Sequence, residues 1–288
     1  MNKTRKFIGL FYIILLTIFS TILTFCSEDK NNPVNNNVDD SLNIDGYKLV
    51  WNDEFDNSAI DLNKWEHEVN ANGGGNNELQ YYTARPENSF VKEGNLHLVA
   101  LQEEYTDDGE TRYYTSARMR TATKGDWTYV RVDVKAKLPY GQGLWPAIWM
   151  LPTDWQYGGW PASGEIDIME HVGYDPGRIH GSIHTEAYNH RIGTQKSGTK
   201  VIPDANTEFH IYSIEWTEEK IIFLIDGEIY FTFGNDKQGK YETWPFDKRF
   251  HLLLNVAVGG DWPGNPTTQT IFPKEMVVDY VRVYEKIN

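Results

Sequence analysis

Three carboxylates fall within six residues in Gly164-Glu165-Ile166-Asp167-Ile168-Met169-Glu170, among apolar residues of the kind that fill a buried strand. Acids this close repel one another and resist burial, so a fold tolerates them mostly where the charge does chemistry. Side chains alternate between the faces of a strand, which points Glu165 and Asp167 the same way. Glu170, five residues after Glu165, falls on the opposite face of a regular strand. One extra residue taken up as a β-bulge returns it to the face of the other two. The spacing predicts a bulged strand with Glu165, Asp167 and Glu170 lining one cleft.

The rest of the chain reads as strands too. Val130, Val132, Val134 and Ala136 alternate with Arg131, Asp133, Lys135 and Lys137, the pattern of a half-buried strand with one wet face. Ile221 to Ile225, the turn Asp226-Gly227 and Glu228 to Phe233 form a hairpin signal. His251 to Val258 and Val277 to Tyr284 are further strand candidates. Long helical periodicity is scarce, and Gly, Pro and Asn turns recur. The fold class is all-β, a sandwich or barrel. A sandwich with one sheet curved into a cleft suits a long polymer.

The N-terminus carries an address. Lys3, Arg5 and Lys6 precede an apolar run from Phe7 to Phe25, a basic n-region and an apolar h-region of an export signal. Cys26 is the chain's single cysteine, so there is no disulfide framework. Leu23-Thr24-Phe25-Cys26 resembles a bacterial lipobox, which implies lipidation of Cys26, although Phe25 stands where that pattern prefers a small residue. A retained signal anchor is the alternative. The expectation is an exported lipoprotein at the outer membrane or cell surface, or else a secreted protein. Ser27-Glu28-Asp29 resembles the surface-export signals of some Gram-negative lipoproteins. Residues 1–26 are thus read as signal, 27–44 (rich in Asn and Asp) as a flexible tether, and 45–288 as the globular domain. The net charge of −14 argues against nucleic acid as a partner. It also disfavours anionic glycans, unless a local basic patch overrides it.

Trp145, Ala147 and Trp149 share one strand face, and Trp160 and Trp262 sit in loops rich in Gly and Pro. Flat aromatic faces complement the C–H faces of pyranose rings; the competing reading is that these tryptophans fill core. Paired carboxylates flanking a glycosidic bond are the usual glycosidase apparatus. Four strand residues span roughly 13 Å between Cα atoms, and glutamates leaning inward narrow the gap toward the about 5–5.5 Å that a retaining mechanism uses. Mutual repulsion should raise one pKa and leave one acid protonated and one ionised. Asp167 between them can orient or share a proton with a neighbour. A calcium site is the alternative use of such a cluster, but an apolar strand lacks the oxygen-rich loop that calcium prefers. His180, Ser182 and His184 share another strand face, where a zinc pair is disfavoured because the spacing i, i+4 wants a helix. Asn255 is a lone polar residue in Leu252-Leu253-Leu254-Asn255-Val256-Ala257-Val258, so it should face the cleft or a specific partner. Gly73-Gly74-Gly75 reads as a flexible loop and lacks what a phosphate cradle needs.

Glu165-Ile166-Asp167-Ile168-Met169-Glu170, preceded by Trp145-Pro146-Ala147-Ile148-Trp149-Met150-Leu151-Pro152, resembles glycoside hydrolase family 16, in its bacterial laminarinase branch. The likeness runs from Trp51-Asn52-Asp53-Glu54-Phe55 to Val278-Asp279-Tyr280-Val281-Arg282-Val283-Tyr284. The bulged E-x-D-x-x-E form matches this branch, whereas lichenases carry E-x-D-x-E. The resemblance implies a β-jelly-roll sandwich with a concave cleft. It assigns Glu165 as nucleophile, Glu170 as general acid/base and Asp167 as the residue that tunes the nucleophile. It also places His184 near the acid/base, and Asn76 and Arg118 toward the non-reducing side of the cleft. It implies an endo-acting β-1,3-glucanase, working as a monomer on laminarin-like β-glucan, with no cofactor needed for catalysis. A structural calcium away from the cleft would be held by Glu54, Gly94 and Asp279 with backbone carbonyls. Mixed-linkage glucan or an agar-type galactan are alternative substrates. A non-catalytic glucan-binding protein is the rival class, disfavoured because both glutamates are present.

Overall fold

The computed structural model describes residues 40–287, and the expected signal, Cys26 and the tether as far as residue 39 lie outside them. Two antiparallel sheets account for almost all of the regular structure. One runs Lys196–Val201, Arg178–His184, Glu165–His171, Leu144–Pro152, Phe250–Val258, Arg118–Arg120 and Glu66–His67, with Asp126–Trp127 also on Phe250–Val258. The other is centred on Arg131–Lys137 and Lys274–Lys286, with His210–Trp216 and the hairpin Lys220–Ile225/Glu228–Gly234 to one side. Asn95–Asp107 and Glu110–Ser116 lie to the other side, where Gln80–Tyr82 adds a parallel pairing. The expected all-β sandwich is present as a jelly roll.

The core lies between the sheets. Val132, Val134 and Ala136 from one meet Ile148, Met150, Ile166, Met169, Leu252, Leu254 and Val256 from the other, all fully buried. Each of the larger side chains, Val, Leu, Ile or Met, contributes about 1.5–3 kcal/mol by leaving water. Alternation then assigns the opposite face of the first sheet to Trp145, Ala147, Trp149, Asn255 and the acids. The strand Arg131–Lys137 follows its expected pattern except at Asp133, which is buried rather than wet. Arg131 Nε donates to its carboxylate at 2.9 Å, and Arg282 lies opposite it in register, so a cation compensates the lost water. The expected hairpin forms, with Asp226 and Gly227 both at positive φ, as a two-residue turn of this hand requires.

Two segments differ from expectation. Residues 40–44 are not free tether: Asp40–Leu42 make a 3-10 turn, and Asn43 Oδ1 accepts from the Leu49 amide at 2.8 Å. The segment Gly73–Gly75 is not a loose loop either. It forms a 3-10 turn in which Asn72 Oδ1 accepts from the Gly74 amide, and Gly73 O accepts from Asn76 and Glu78.

The bulge in the acid strand is present. On one side Trp149 pairs with Asp167 and Ile148 with Met169, leaving Ile168 unmatched. On the other, Ser182 pairs with Asp167 and His180 with Glu170, so three steps on the acid strand match two on its neighbour. The Ile168 side chain goes into the core. Its carbonyl accepts from Tyr230 Oη, at 3.4 Å, reaching across from the other sheet. Gly181 makes room for this, since a Cβ there would lie 2.4 Å from that hydroxyl and 2.8 Å from Phe223. Gly181→Ala should therefore cost about 1–3 kcal/mol through overpacking. Denaturant unfolding measures it, and an unchanged midpoint would show that Tyr230 is free to retreat.

Candidate active site

The slip places Glu165, Asp167 and Glu170 on one face, opposite His184, Ser182 and His180 respectively on the next strand. Each acid has its own partner. Trp160 Nε1 donates to Glu165 Oε2 at 2.6 Å. Trp145 Nε1 donates to Glu170 Oε1 at 3.1 Å. His184 Nε2 lies 3.2 Å from Asp167 Oδ2. Asp167 is 2% exposed and Glu170 9%, while Glu165 keeps more of its surface open to the groove.

Burial acts on all three acids, which alters the expectation that repulsion alone would raise a single pKa. Desolvation first, and then the charge of Asp167, push Glu165 up to about 8. Desolvation and the Glu165 charge push Glu170 up to about 7. Asp167 is raised well above the carboxylate range by burial and by Glu170. Opposing this, the indole donors of Trp160 and Trp145 favour the ionised glutamates, and a charged His184 lowers both. The trio therefore retains protons near neutrality. Burial lowers His180, on the neighbouring strand, and pushes His171, at the end of the acid strand, down to about 4.

A groove of about 530 Å³ runs past Glu165 and Glu170, lined by Trp145, His180, His184 and Trp262. Trp145 meets Trp262 edge to face, at 5.4 Å between centroids, and Trp262 meets His180 in the same way at 5.0 Å. Toward the other end lie Trp149, Trp155, Trp160 and Arg118. Trp149 Nε1 donates to Asn255 Oδ1 at 2.7 Å, and Asn255 Nδ2 donates to Tyr82 Oη at 3.1 Å. Asn255 thus faces the cleft as expected, with its amide holding the tryptophan in place. Arg118 stacks on Trp149 at 4.6 Å and pairs with Glu68 at 3.0 Å. Asn76 lines both ends of the groove, and its carbonyl accepts from the Asp261 amide, tying two rim loops together. Every cleft residue expected from sequence, Asn76, Arg118, Trp145, Trp149, Trp160, His184, Asn255 and Trp262, therefore lines this groove or the floor beneath it.

Sequence reading missed Tyr82 and Glu68, which hold the tryptophan platform from distant parts of the chain. It also missed His190 and Arg191, which pack on Trp160 at 5.1 and 4.6 Å. These last two sit in a short 3-10 turn without periodicity, so no pattern marked them.

The calcium candidates approach one stretch of backbone. Asp53 pairs with Val281, just before Glu54, and Leu96 pairs with Val278, just after Gly94; Asp279 lies in a register shift between them. Both Glu54 oxygens, however, accept from Arg282, at 3.0 and 2.8 Å, and Asp279 Oδ2 pairs with Lys135 at 2.6 Å. The side chains are largely committed to cations, which leaves main-chain carbonyls and the second Asp279 oxygen as the donors that fit a hard ion.

Paired glutamates on one face of an aromatic-walled groove, in a jelly-roll sandwich, define a hydrolase of glycosidic bonds. Comparison with known proteins places it further. The model of "Glycosyl hydrolases family 16" matches residues 75–282. A β-glucanase of Rhodothermus marinus is 51% identical over 247 residues, covering 83% of this chain and 85% of the relative. The solved laminarinase of Rhodothermus marinus superposes with a TM-score of 0.80 at 48% identity, over 84% of this chain and 98% of that one. A structure described as SCLam, a non-specific endo-β-1,3(4)-glucanase, gives 0.79 at 47% identity, over 84% of this chain and 92% of that one. The chain belongs to glycoside hydrolase family 16.

The Trp160–Glu165 hydrogen bond favours the ionised carboxylate, so its removal should raise the pKa of Glu165. In Trp160→Phe the acid limb of the kcat/KM profile is expected to move up by about one to two pH units, since a hydrogen bond to a charged group contributes about 1.5–3 kcal/mol. A pH–rate profile with an unmoved limb would remove Trp160 from that role.

Proposed function

We propose that this protein is an endo-acting, retaining β-1,3-glucanase that cuts within laminarin-like β-glucans. The observation that carries this is the one-residue slip at Ile168, which brings Glu165 and Glu170 to the same face of one groove. The reaction needs Glu165 ionised and Glu170 protonated, the reverse of the order in which burial raises them, about 8 and about 7, so the proton that these acids share has to sit on Glu170. In the first step the Glu165 carboxylate then attacks the anomeric carbon while Glu170 gives its proton to the leaving oxygen. The C–O bond breaks, and the sugar is held as an ester of Glu165. In the second step Glu170, now ionised, takes a proton from water. The water oxygen attacks the same carbon, and Glu165 leaves with configuration retained. His184 and Asp167 sit between the two acids and balance charge as the proton moves. The tryptophans on either side of the pair offer faces for several sugar rings, which fits cleavage inside a chain.

A broader linkage range is the second reading, supported by the likeness to a non-specific β-1,3(4)-glucanase. The protein, incubated with linear β-1,3-glucan, mixed-linkage β-1,3/1,4-glucan and agarose, should release early oligosaccharides from the first and little from agarose. Cleavage mainly of agarose would overturn the substrate assignment. Glu165→Ser should lose turnover by more than about 10³-fold while still binding β-1,3-glucan in affinity electrophoresis. Retained hydrolysis would displace Glu165 as nucleophile.

The basic and apolar N-terminal run and the lipobox-like segment support export and anchoring through Cys26. The convergence of Glu54, Gly94 and Asp279 on one stretch of backbone supports a structural calcium there, held chiefly by carbonyls. Chelation is then expected to lower the melting temperature more than the initial rate. A melting curve that does not respond to chelator would count against the ion.

A further inference from the structure

Apart from the groove, a cavity of about 390 Å³ is lined by Tyr129, Tyr157, Tyr241 and Trp244. That volume falls in the range of small-molecule sites, about 300–1,000 Å³. The Tyr157 and Tyr241 rings stack 5.0 Å apart and within 7° of parallel. Tyr157 Oη donates to the Asp247 carboxylate, 2.9 and 3.0 Å from its two oxygens, which fixes the pair. Trp244 is buried and stacks on Phe233 at 5.6 Å, which sets the floor. Tyr129 is held at a φ of 61°, a region that a bulky L residue rarely enters. Backbone strain of this kind clusters at ligand clamps. The Tyr129 and Tyr241 hydroxyls, the Lys240 ammonium and the Glu218 carboxylate make no hydrogen bond among the described residues, although all four residues line the cavity.

The rim identifies the class of ligand. Lys237 pairs with Glu219 at 2.8 Å, and Lys240 stands with Glu218 and Asp247, so neither sign of charge is selected. Flat tyrosine faces with hydroxyl, ammonium and carboxylate groups around them suit an uncharged ring that carries hydroxyls. The position of the cavity points to the source of that ring. One loop, residues 153–164, serves both sites: Trp155 and Trp160 line the end of the groove, and Tyr157 lines the cavity. The Gly158 amide donates to the Trp155 carbonyl at 3.0 Å, so Trp155 and Tyr157 belong to one turn, with Cα atoms no more than about 7 Å apart. A polymer that leaves the groove past Trp155 therefore passes close to the tyrosines. We propose that this cavity is a second, non-catalytic carbohydrate site, which holds a distal stretch of the β-glucan chain being cut. The assignment rests on the β-glucan reading of the groove. Two linked sites on one polymer bind with an effective concentration that neither has alone, so the gain appears only with glucans long enough to span both.

Affinity electrophoresis and calorimetry of the full-length protein carrying Glu165→Ser separate the two sites without turnover. With long linear β-1,3-glucan, adding Tyr241→Ala is expected to weaken binding by at least about tenfold. A β-1,3-linked trisaccharide, short enough for the groove alone, should bind both proteins equally. Tyr241→Phe, which keeps the ring, should restore most of the long-chain affinity. Glu218→Ala, at the exposed rim, is the second variant and should weaken long-chain binding in the same direction, with melting curves as the check on folding. Unchanged long-chain affinity in both Tyr241→Ala and Glu218→Ala would overturn the second site and leave the groove assignment standing. Weakening of the trisaccharide as much as of the long chain would also overturn it, because the effect would then lie in the groove. A Glu165→Ser protein that binds neither ligand would overturn the β-glucan reading and this site with it.

Discussion

A one-residue slip in main-chain pairing, between Asp167 and Glu170, fixes the positions on which the rest of the cleft depends. It is held from both sides by regular neighbours, Leu144–Pro152 and Arg178–His184, and from below by Tyr230. Side-chain parity then follows without further adjustment. Ile166, Ile168 and Met169 enter the core, while the acids face the groove. Three carboxylates are positioned by backbone hydrogen bonds rather than by flexible loops, which is how a rigid sheet preorganises reacting groups.

The electrostatics follow from the same placement. Acids on a cleft floor lose water, and that loss, more than their mutual repulsion, raises their pKa values. Indole N–H groups restore part of what water supplied, one donor to each glutamate. Trp145 and Trp160 thus serve twice, as walls of the groove and as hydrogen-bond donors to the reacting groups. The outer supports work at longer range. Tyr82 and Asn255 fix Trp149, and Glu68 fixes the guanidinium stacked on it.

Much of this was legible in the sequence where a local repeat carried it. The i, i+2, i+5 spacing of the acids implied the bulge, and the alternation around Val132 implied a sheet face. The lone Asn255 in an apolar run implied a partner, but not that the partners would be Trp149 and Tyr82, because those contacts join residues 106 and 173 positions away. His190 and Arg191 lie in an aperiodic turn and left no signal. Asp133 looked like a solvent-facing charge because alternation records which side a residue faces, not what covers that side. The polar composition around Asn43 gives no hint of its bond to the Leu49 amide, because that contact depends on the strand that follows.

The raised acids carry a consequence for how such a cleft changes over evolutionary time. A group that loses water on folding is less at ease ionised in the native state than in the open chain, so the reaction's charge is held against the stability of the fold. Replacing an acid by a neutral residue of similar size lifts that burden and leaves the tryptophan walls standing. Loss of catalysis then runs downhill in stability, and a hydrolase of this architecture lies a single substitution from a sturdier protein that only grips its polysaccharide.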